Sequence, residues 1–142
     1  ARSILSRATP FDRISGNGFF PRSGMSDRRE VRDYLFDILQ AIEDIRSYTI
    51  GMSVDAFRKD RKTQQAVIRC LEVVGEATKK IQPALRDRHP ETQWQEIAGM
   101  RDKLIHEYFG VDLDIVWETA REDLVPFESA VRSLLATLGK SS

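Results

Sequence analysis

Apolar residues recur every three or four positions along most of this chain, and this period constrains the possible folds more than any other feature. The first such stripe ends before Gly51 and contains Val31, Tyr34, Leu35, Ile38, Leu39, Ile42 and Ile45. The second stripe lies between Asp60 and Pro83 and contains Val67, Cys70, Leu71, Val74, Ala77, Thr78 and Ile81. This spacing places the apolar side chains on one face of an α-helix. The sequence has no strand-like alternation and no internal repeat, so we predict an all-α fold.

Capping residues predict two more helices after the second stripe. A capping box at Thr92 and Gln95 predicts a helix over residues 93–109. Asp112 can cap a last helix, which Pro126 is expected to break or kink. Short links between four such helices favour an up-down four-helix bundle, with one short extra helical turn between the first two helices.

Gly75 lies inside the second predicted helix, where the missing side chain costs about 1 kcal/mol relative to alanine. Close approach of another backbone would account for a glycine at this position. Its neighbour Glu76 is expected to be solvated, and the alternative is that its carboxylate pairs with Arg101 of the third helix. Two short basic runs, Lys79–Lys80 and Arg86–Arg88, are typical of solvated faces.

Length and composition indicate one helical domain preceded by an extension. With 142 residues, the chain is long enough to bury a core as a single domain. Residues 1–24 carry four arginines against one aspartate and show no sustained period, so we interpret them as a leader or poorly ordered extension and residues 25–142 as the domain. Cys70 is the single cysteine, which excludes an internal disulfide and suits a reducing cytosol. No apolar run approaches the roughly 20 residues needed to span a bilayer, so a soluble, cytoplasmic protein is expected.

Three side chains able to act on phosphate lie within the segment Arg101–Tyr108, which reads RDKLIHEY. Arg101 falls in the middle of the predicted apolar stripe, and an arginine is almost never fully buried without a partner. It therefore either pairs with a carboxylate in the core or opens onto a cleft or interface that accepts anions. His106 lies in the last predicted turn, where Asp102 one turn earlier and the helix dipole favour its protonated form.

The spacing within this segment favours a site shared between two copies of the chain. Arg101 and His106 are five residues apart, hence about 140° apart around one helix. They do not converge on one atom within a single copy, so a homodimer packed through this face is the simplest way to build a site. Tyr108 lies on the same stripe as Arg101 and is either an interfacial ring or part of that site. From the residues alone, a buried ion pair and a helix-end histidine explain the segment better than catalysis.

Other chemistries find little support in the sequence. Two histidines, His89 and His106, with one cysteine give no convincing metal set, so no metal and no cofactor are expected. The sequence has no Gly-rich phosphate loop and no nucleophile elbow. Trp94 and Trp117 are expected to be core residues rather than platforms for stacking bases.

The segment RDKLIHEYFGVD, from Arg101 to Asp112, resembles the R-x4-H-x-Y signature of the HEPN superfamily, and specifically its HepT-like toxins. The upstream segment Val73–Ala77 resembles the same group, and the likeness covers about residues 25–138. This resemblance implies an all-α homodimer that is the toxin of a type VII-like toxin–antitoxin pair. The implied activity is that of an endoribonuclease that cleaves RNA without a metal ion.

The resemblance also implies roles for individual residues. Arg101 and His106 from two protomers would line one cleft at the dimer interface, with Asp102 in support. Tyr108 would be the residue to which a minimal nucleotidyltransferase antitoxin attaches AMP, and this AMPylation would neutralise the toxin. The competing interpretation is a non-catalytic HEPN module whose groove binds a nucleotide or a partner protein.

Overall fold

The computed structural model describes residues 29–106 and 112–140, and every regular element within these ranges is helical. The helices are α1 (Val31–Thr49), α2 (Val54–Arg58), α3 (Arg61–Lys79), α4 (Pro83–Arg86), α5 (Trp94–Ala98), α6 (Met100–His106), α7 (Leu113–Glu118) and α8 (Leu124–Lys140), and a π-helical turn, Thr119–Asp123, joins α7 to α8. The predicted all-α class is therefore confirmed. The interpretation of residues 1–24 as an extension lies outside the described residues. No helix in the described ranges is long and apolar enough to cross a bilayer.

The pairing of α1 with α3 builds the centre of the core, and α8 packs against α1 beside it. The α3 stripe predicted from the sequence is buried throughout, as are Leu35, Ile38, Ile42 and Ile45 of α1. Local signals set the ends of both helices. Gly51 follows α1 with a φ of +72°, a conformation that costs glycine little. Asp60 caps α3 by accepting a hydrogen bond from the Thr63 amide at 3.0 Å.

The third predicted helix is two helices, and the prediction of one continuous helix over residues 93–109 was wrong. α5 ends at Ala98, Gly99 adopts φ −83° and ψ 0°, and α6 begins at Met100. Thr92 is not the N-cap; Gln93 takes that position without a side-chain bond, so the capping box is absent. The interruption also changes which residues face the core, because Met100 is fully buried while the side chain of Arg101 is 42% exposed.

The C-terminal helical run begins at the predicted cap and continues past Pro126. The Asp112 carboxylate accepts hydrogen bonds from the amides of Asp114 and Ile115, at 2.9 and 3.4 Å. Pro126 has no N–H for the carbonyl of Glu122 four residues earlier. Just before the proline, the amide of Leu124 donates to the carbonyl of Thr119 five residues earlier, which is the bond of a π turn. Helix α8 continues through Pro126 to Lys140, so the predicted break is absent.

Aromatic side chains connect the C-terminal helices to the rest of the core. Trp94 of α5 meets Phe127 of α8 edge to face, with ring centroids 5.3 Å apart, and its indole N–H donates to the carbonyl of His89 at 2.9 Å. Phe57 of α2 packs against Trp117 of α7 with centroids 5.2 Å apart. Both tryptophans thus contribute to packing, as predicted, although Trp117 is only partly buried.

Candidate functional site

Gly75 marks the closest approach between α3 and the junction of α5 with α6. A Cβ atom at this position would lie 3.0 Å from the carbonyl oxygen of Ile97 and 3.1 Å from the amide nitrogen of Arg101. Both distances are tighter than nine in ten real Cβ contacts, and both involve backbone atoms. The predicted backbone approach at Gly75 is confirmed. Its consequence is that α3 holds the backbone of Arg101 directly.

The Arg101 side chain forms an ion pair with Glu76 of α3. The contact runs from Nε of Arg101 to Oε1 of Glu76 over 3.7 Å, which is longer than a hydrogen bond. The two side chains are 42% and 49% exposed. The structure therefore confirms the alternative that Glu76 pairs with Arg101, and it places the pair at the surface. The guanidinium is not enclosed with an acid in the core.

Lys79 and Asp102 extend this pair into a row of alternating charges. The Lys79 Nζ lies 3.9 Å from Oε1 of Glu76 and 3.7 Å from Oδ2 of Asp102. We call this row the charge ladder; it consists of Arg101, Glu76, Lys79 and Asp102. Asp102 was predicted to lie beside His106, and its ion pair within the described residues is with Lys79. The side chain of His106 and the whole of Tyr108 lie outside the described residues.

Arg101 also borders a groove of about 180 Å³ between α1 and α3. Its lining residues are Arg29, Tyr34, Asp37, Arg69, Glu72, Val73, Glu76, Ala77, Lys80 and Arg101. Acids in the groove have cationic partners: Asp37 is 2.8 Å from Arg29, and Glu72 is 3.5 Å from Arg69. The groove is thus polar and electrically mixed, and its carboxylates are offset by neighbouring cations.

Two basic residues that were predicted to lie on solvated faces form ion pairs or hydrogen bonds with neighbouring helices and loops. Lys79 belongs to the charge ladder, and its spacing of three residues from Glu76 was the signal that could have identified it. Arg86 donates to the carbonyl oxygens of Thr78 at 2.7 Å and Ile81 at 3.0 Å, so it satisfies carbonyls at the end of α3. Partial burial lowers the pKa of the Arg86 guanidinium.

The described ranges contain no cluster of three or more histidine, cysteine, aspartate or glutamate residues that could hold a metal ion. Cys70 is a buried free thiol in α3, and burial raises its pKa. His89 lies in the link between α4 and α5, where its Nδ1 is 3.6 Å from a carboxylate oxygen of Glu91.

Comparison with known proteins identifies the family. The sequence model of the family described as "Ribonuclease HepT-like" matches residues 38–134. A relative from Thermococcus cleftensis named "Probable ribonuclease HepT" is 50% identical over 97 residues, which cover 68% of this chain and 88% of that protein. A relative from Methanocaldococcus jannaschii named "Putative RNase" is 42% identical over 111 residues, which cover 78% of this chain and 96% of that protein. No solved structure gives a significant match. The chain therefore belongs to the HepT-like ribonuclease family.

Proposed function

We propose that this protein is a metal-independent endoribonuclease, the toxin of a type VII-like toxin–antitoxin pair, and that it acts as a cytoplasmic homodimer. Family membership and relatives named as RNases support cleavage of RNA. The all-helical fold is compatible with the up-down bundle that the HEPN resemblance implies. The site consists of Arg101 and His106, with Asp102 and Tyr108 beside them.

The reaction needs two proton transfers and one fixed positive charge. A general base removes the proton from the 2′-OH, whose oxygen attacks the adjacent phosphorus. The bond from phosphorus to the 5′ oxygen breaks, and an acid protonates that oxygen. The products are a 2′,3′-cyclic phosphate and a 5′-OH. His106 suits the proton transfers because histidine titrates near neutrality. Arg101 suits the phosphate because a guanidinium can bind two of its oxygens and offset the developing charge.

The exposure of Arg101 is the observation that carries this proposal. The Arg101 side chain is 42% exposed at the edge of a groove, and Nε is its guanidinium nitrogen closest to the Glu76 carboxylate. Within residues 29–106 and 112–140, no hydrogen bond engages its two terminal nitrogens, which can therefore contact an anion. The backbone of Arg101 is held against Gly75, so the cation is presented from a fixed point. A guanidinium enclosed in the core could not contact a phosphate.

Dimerisation and AMPylation complete the proposal. Arg101 and His106 are about 140° apart around one helix, so a second copy is needed to place both at one phosphate. Tyr108 is the proposed AMPylation site of a minimal nucleotidyltransferase antitoxin. The attached phosphate would add negative charge close to Arg101 and occupy the place of the RNA phosphate.

The test is cleavage of RNA by the purified full chain in the presence of a chelator. We expect 2′,3′-cyclic phosphate ends from the wild type and no cleavage by His106→Ala or Arg101→Ala. Circular dichroism should show that both variants remain folded. Arg132→Ala is the matched control, because Arg132 is an exposed, ion-paired arginine on α8 and should leave cleavage unchanged. Intact RNA with the wild type as well, together with nucleotide binding that depends on Arg101, would instead identify a non-catalytic binding module.

A further inference from the structure

We propose that Glu76 is a positioning residue, which orients the Arg101 guanidinium so that its terminal nitrogens face the phosphate. The inference rests on the proposed function, because it assigns Glu76 a part in the same cleavage. Glu76 lies on α3 rather than in the Arg101–Tyr108 segment, and neither the sequence motif nor the family match assigns it a role. Its contact with Arg101 provides the starting point.

The geometry of this contact indicates that Glu76 can orient Arg101 without competing with the RNA phosphate for it. A carboxylate that bound both terminal nitrogens would occupy the position of the phosphate. The Glu76 carboxylate instead lies closest to Nε, the nitrogen that joins the guanidinium to the aliphatic part of the side chain, at 3.7 Å. An arginine side chain loses considerable rotamer freedom when it is held in one orientation. An ion pair at Nε restricts that freedom before RNA binds and keeps the two terminal nitrogens accessible to the phosphate.

The rest of the charge ladder holds Glu76 in place. Lys79 contacts the same Oε1 atom from the next turn of α3, at 3.9 Å, and is itself 3.7 Å from Asp102 of α6. Glu76 is therefore attracted from two sides, by one cation on its own helix and one on α6. The Lys79 charge also offsets the repulsion that the Glu76 carboxylate would exert on an incoming phosphate. Helix α3 approaches α6 so closely only because residue 75 is glycine.

A positioning role predicts separate effects on turnover and on binding. In Glu76→Gln the negative charge is lost and the size of the side chain is kept. Binding of RNA should be unchanged or tighter, because a negative charge near the phosphate has been removed. Turnover should fall about three- to fivefold, since a half-exposed ion pair biases the orientation of its partner by a modest free energy. The fold should survive, because half-exposed ion pairs contribute little to stability.

Glu72→Gln provides a matched control. Glu72 lies one turn earlier on α3, lines the same groove and pairs with Arg69 at 3.5 Å rather than with Arg101. We expect kcat to fall in Glu76→Gln with KM equal or lower, and both constants to stay at wild-type values in Glu72→Gln. In an Arg101→Lys background, Glu76→Gln should have little further effect. A kcat of Glu76→Gln within twofold of the wild type would overturn the inference.

A measurement that does not depend on activity keeps the two proposals distinguishable. The ¹⁵Nε–H resonance of Arg101, assigned by its loss in Arg101→Lys, should show a heteronuclear NOE typical of an ordered group. That NOE should fall in Glu76→Gln and stay unchanged in Glu72→Gln. An Arg101 signal that is already mobile in the wild type, or unaffected by Glu76→Gln, refutes the positioning role. Full cleavage by Arg101→Ala refutes the proposed function, whatever Glu76 does.

Discussion

Replacing Gly75 by alanine inserts one methyl group into the narrowest contact between α3 and the α5–α6 junction. In an open helix this change would stabilise the protein by about 1 kcal/mol, because alanine is the better helix former. Here the new Cβ would lie 3.0 Å from the Ile97 carbonyl oxygen and 3.1 Å from the Arg101 amide nitrogen. Neither atom belongs to a flexible side chain, so two backbones must separate by a few tenths of an ångström. Overpacking of this kind typically costs about 1–3 kcal/mol.

Taking about 2 kcal/mol for the overpacking, Gly75→Ala should lower the free energy of unfolding by about 1 kcal/mol. For a chain of this length, the corresponding fall in Tm is about 3–5 °C. Urea unfolding followed by circular dichroism measures the change, at several protein concentrations because dimerisation would add to the apparent stability. Ala66→Gly, on the same helix α3, measures how much the free energy of unfolding changes between alanine and glycine through helix propensity. A Gly75→Ala variant more stable than the wild type would show that the junction yields without cost and would refute the reasoning.

Three further predictions concern sites elsewhere in the chain. Incubation with the cognate nucleotidyltransferase and ATP should add the mass of AMP to the wild type and none to Tyr108→Phe; equal labelling would move the modification to another residue. Asp112→Ala should lower the free energy of unfolding by about 1 kcal/mol through loss of the α7 cap, whereas Asp112→Asn should retain most of it. Hydrogen bonds from Arg46 hold the pKa of Glu128 below its usual range. The pair therefore stabilises the fold at neutral pH, and this contribution is lost as the pH falls through the lowered pKa. Arg46→Ala should accordingly reduce stability more at neutral pH than in strong acid, and an equal reduction at both would contradict this.

The helices that the sequence predicted best are those with a buried stripe and a local end signal. α1 and α3 have both, and Gly51 and Asp60 end or begin them as expected. The break at Gly99 was missed because one glycine costs a helix only about 1 kcal/mol and apolar residues continue on both sides. Its effect is large nevertheless. Met100 takes the buried position, and Arg101, predicted at the centre of the stripe, lies at the surface.

The candidate site was predictable only in part, because its contacts join different helices. The pairing of Glu76 with Arg101 was an alternative suggested by the glycine beside Glu76, and the structure confirms it. The pairing of Lys79 with Asp102 was not predicted. Sequence spacing relates residues on one helix, and so it predicted Asp102 beside His106, whose side chain lies outside the described residues. Contacts between helices depend on how the two helices are aligned along their length, which a periodic pattern leaves undetermined.

The π turn between α7 and α8 has a consequence for how the length of this chain can vary. Buried positions in the C-terminal run are spaced by three or four residues on either side of the turn, but Thr119 and Leu124 are five apart. A regular α-helix would present the same two sets of side chains to the core with one residue fewer. Loss of a single residue at this point would therefore restore an ordinary helical register rather than rotate half of the run away from its partners. The interior of a long helical run, where a deletion would ordinarily be most damaging, here contains a place suited to absorb one.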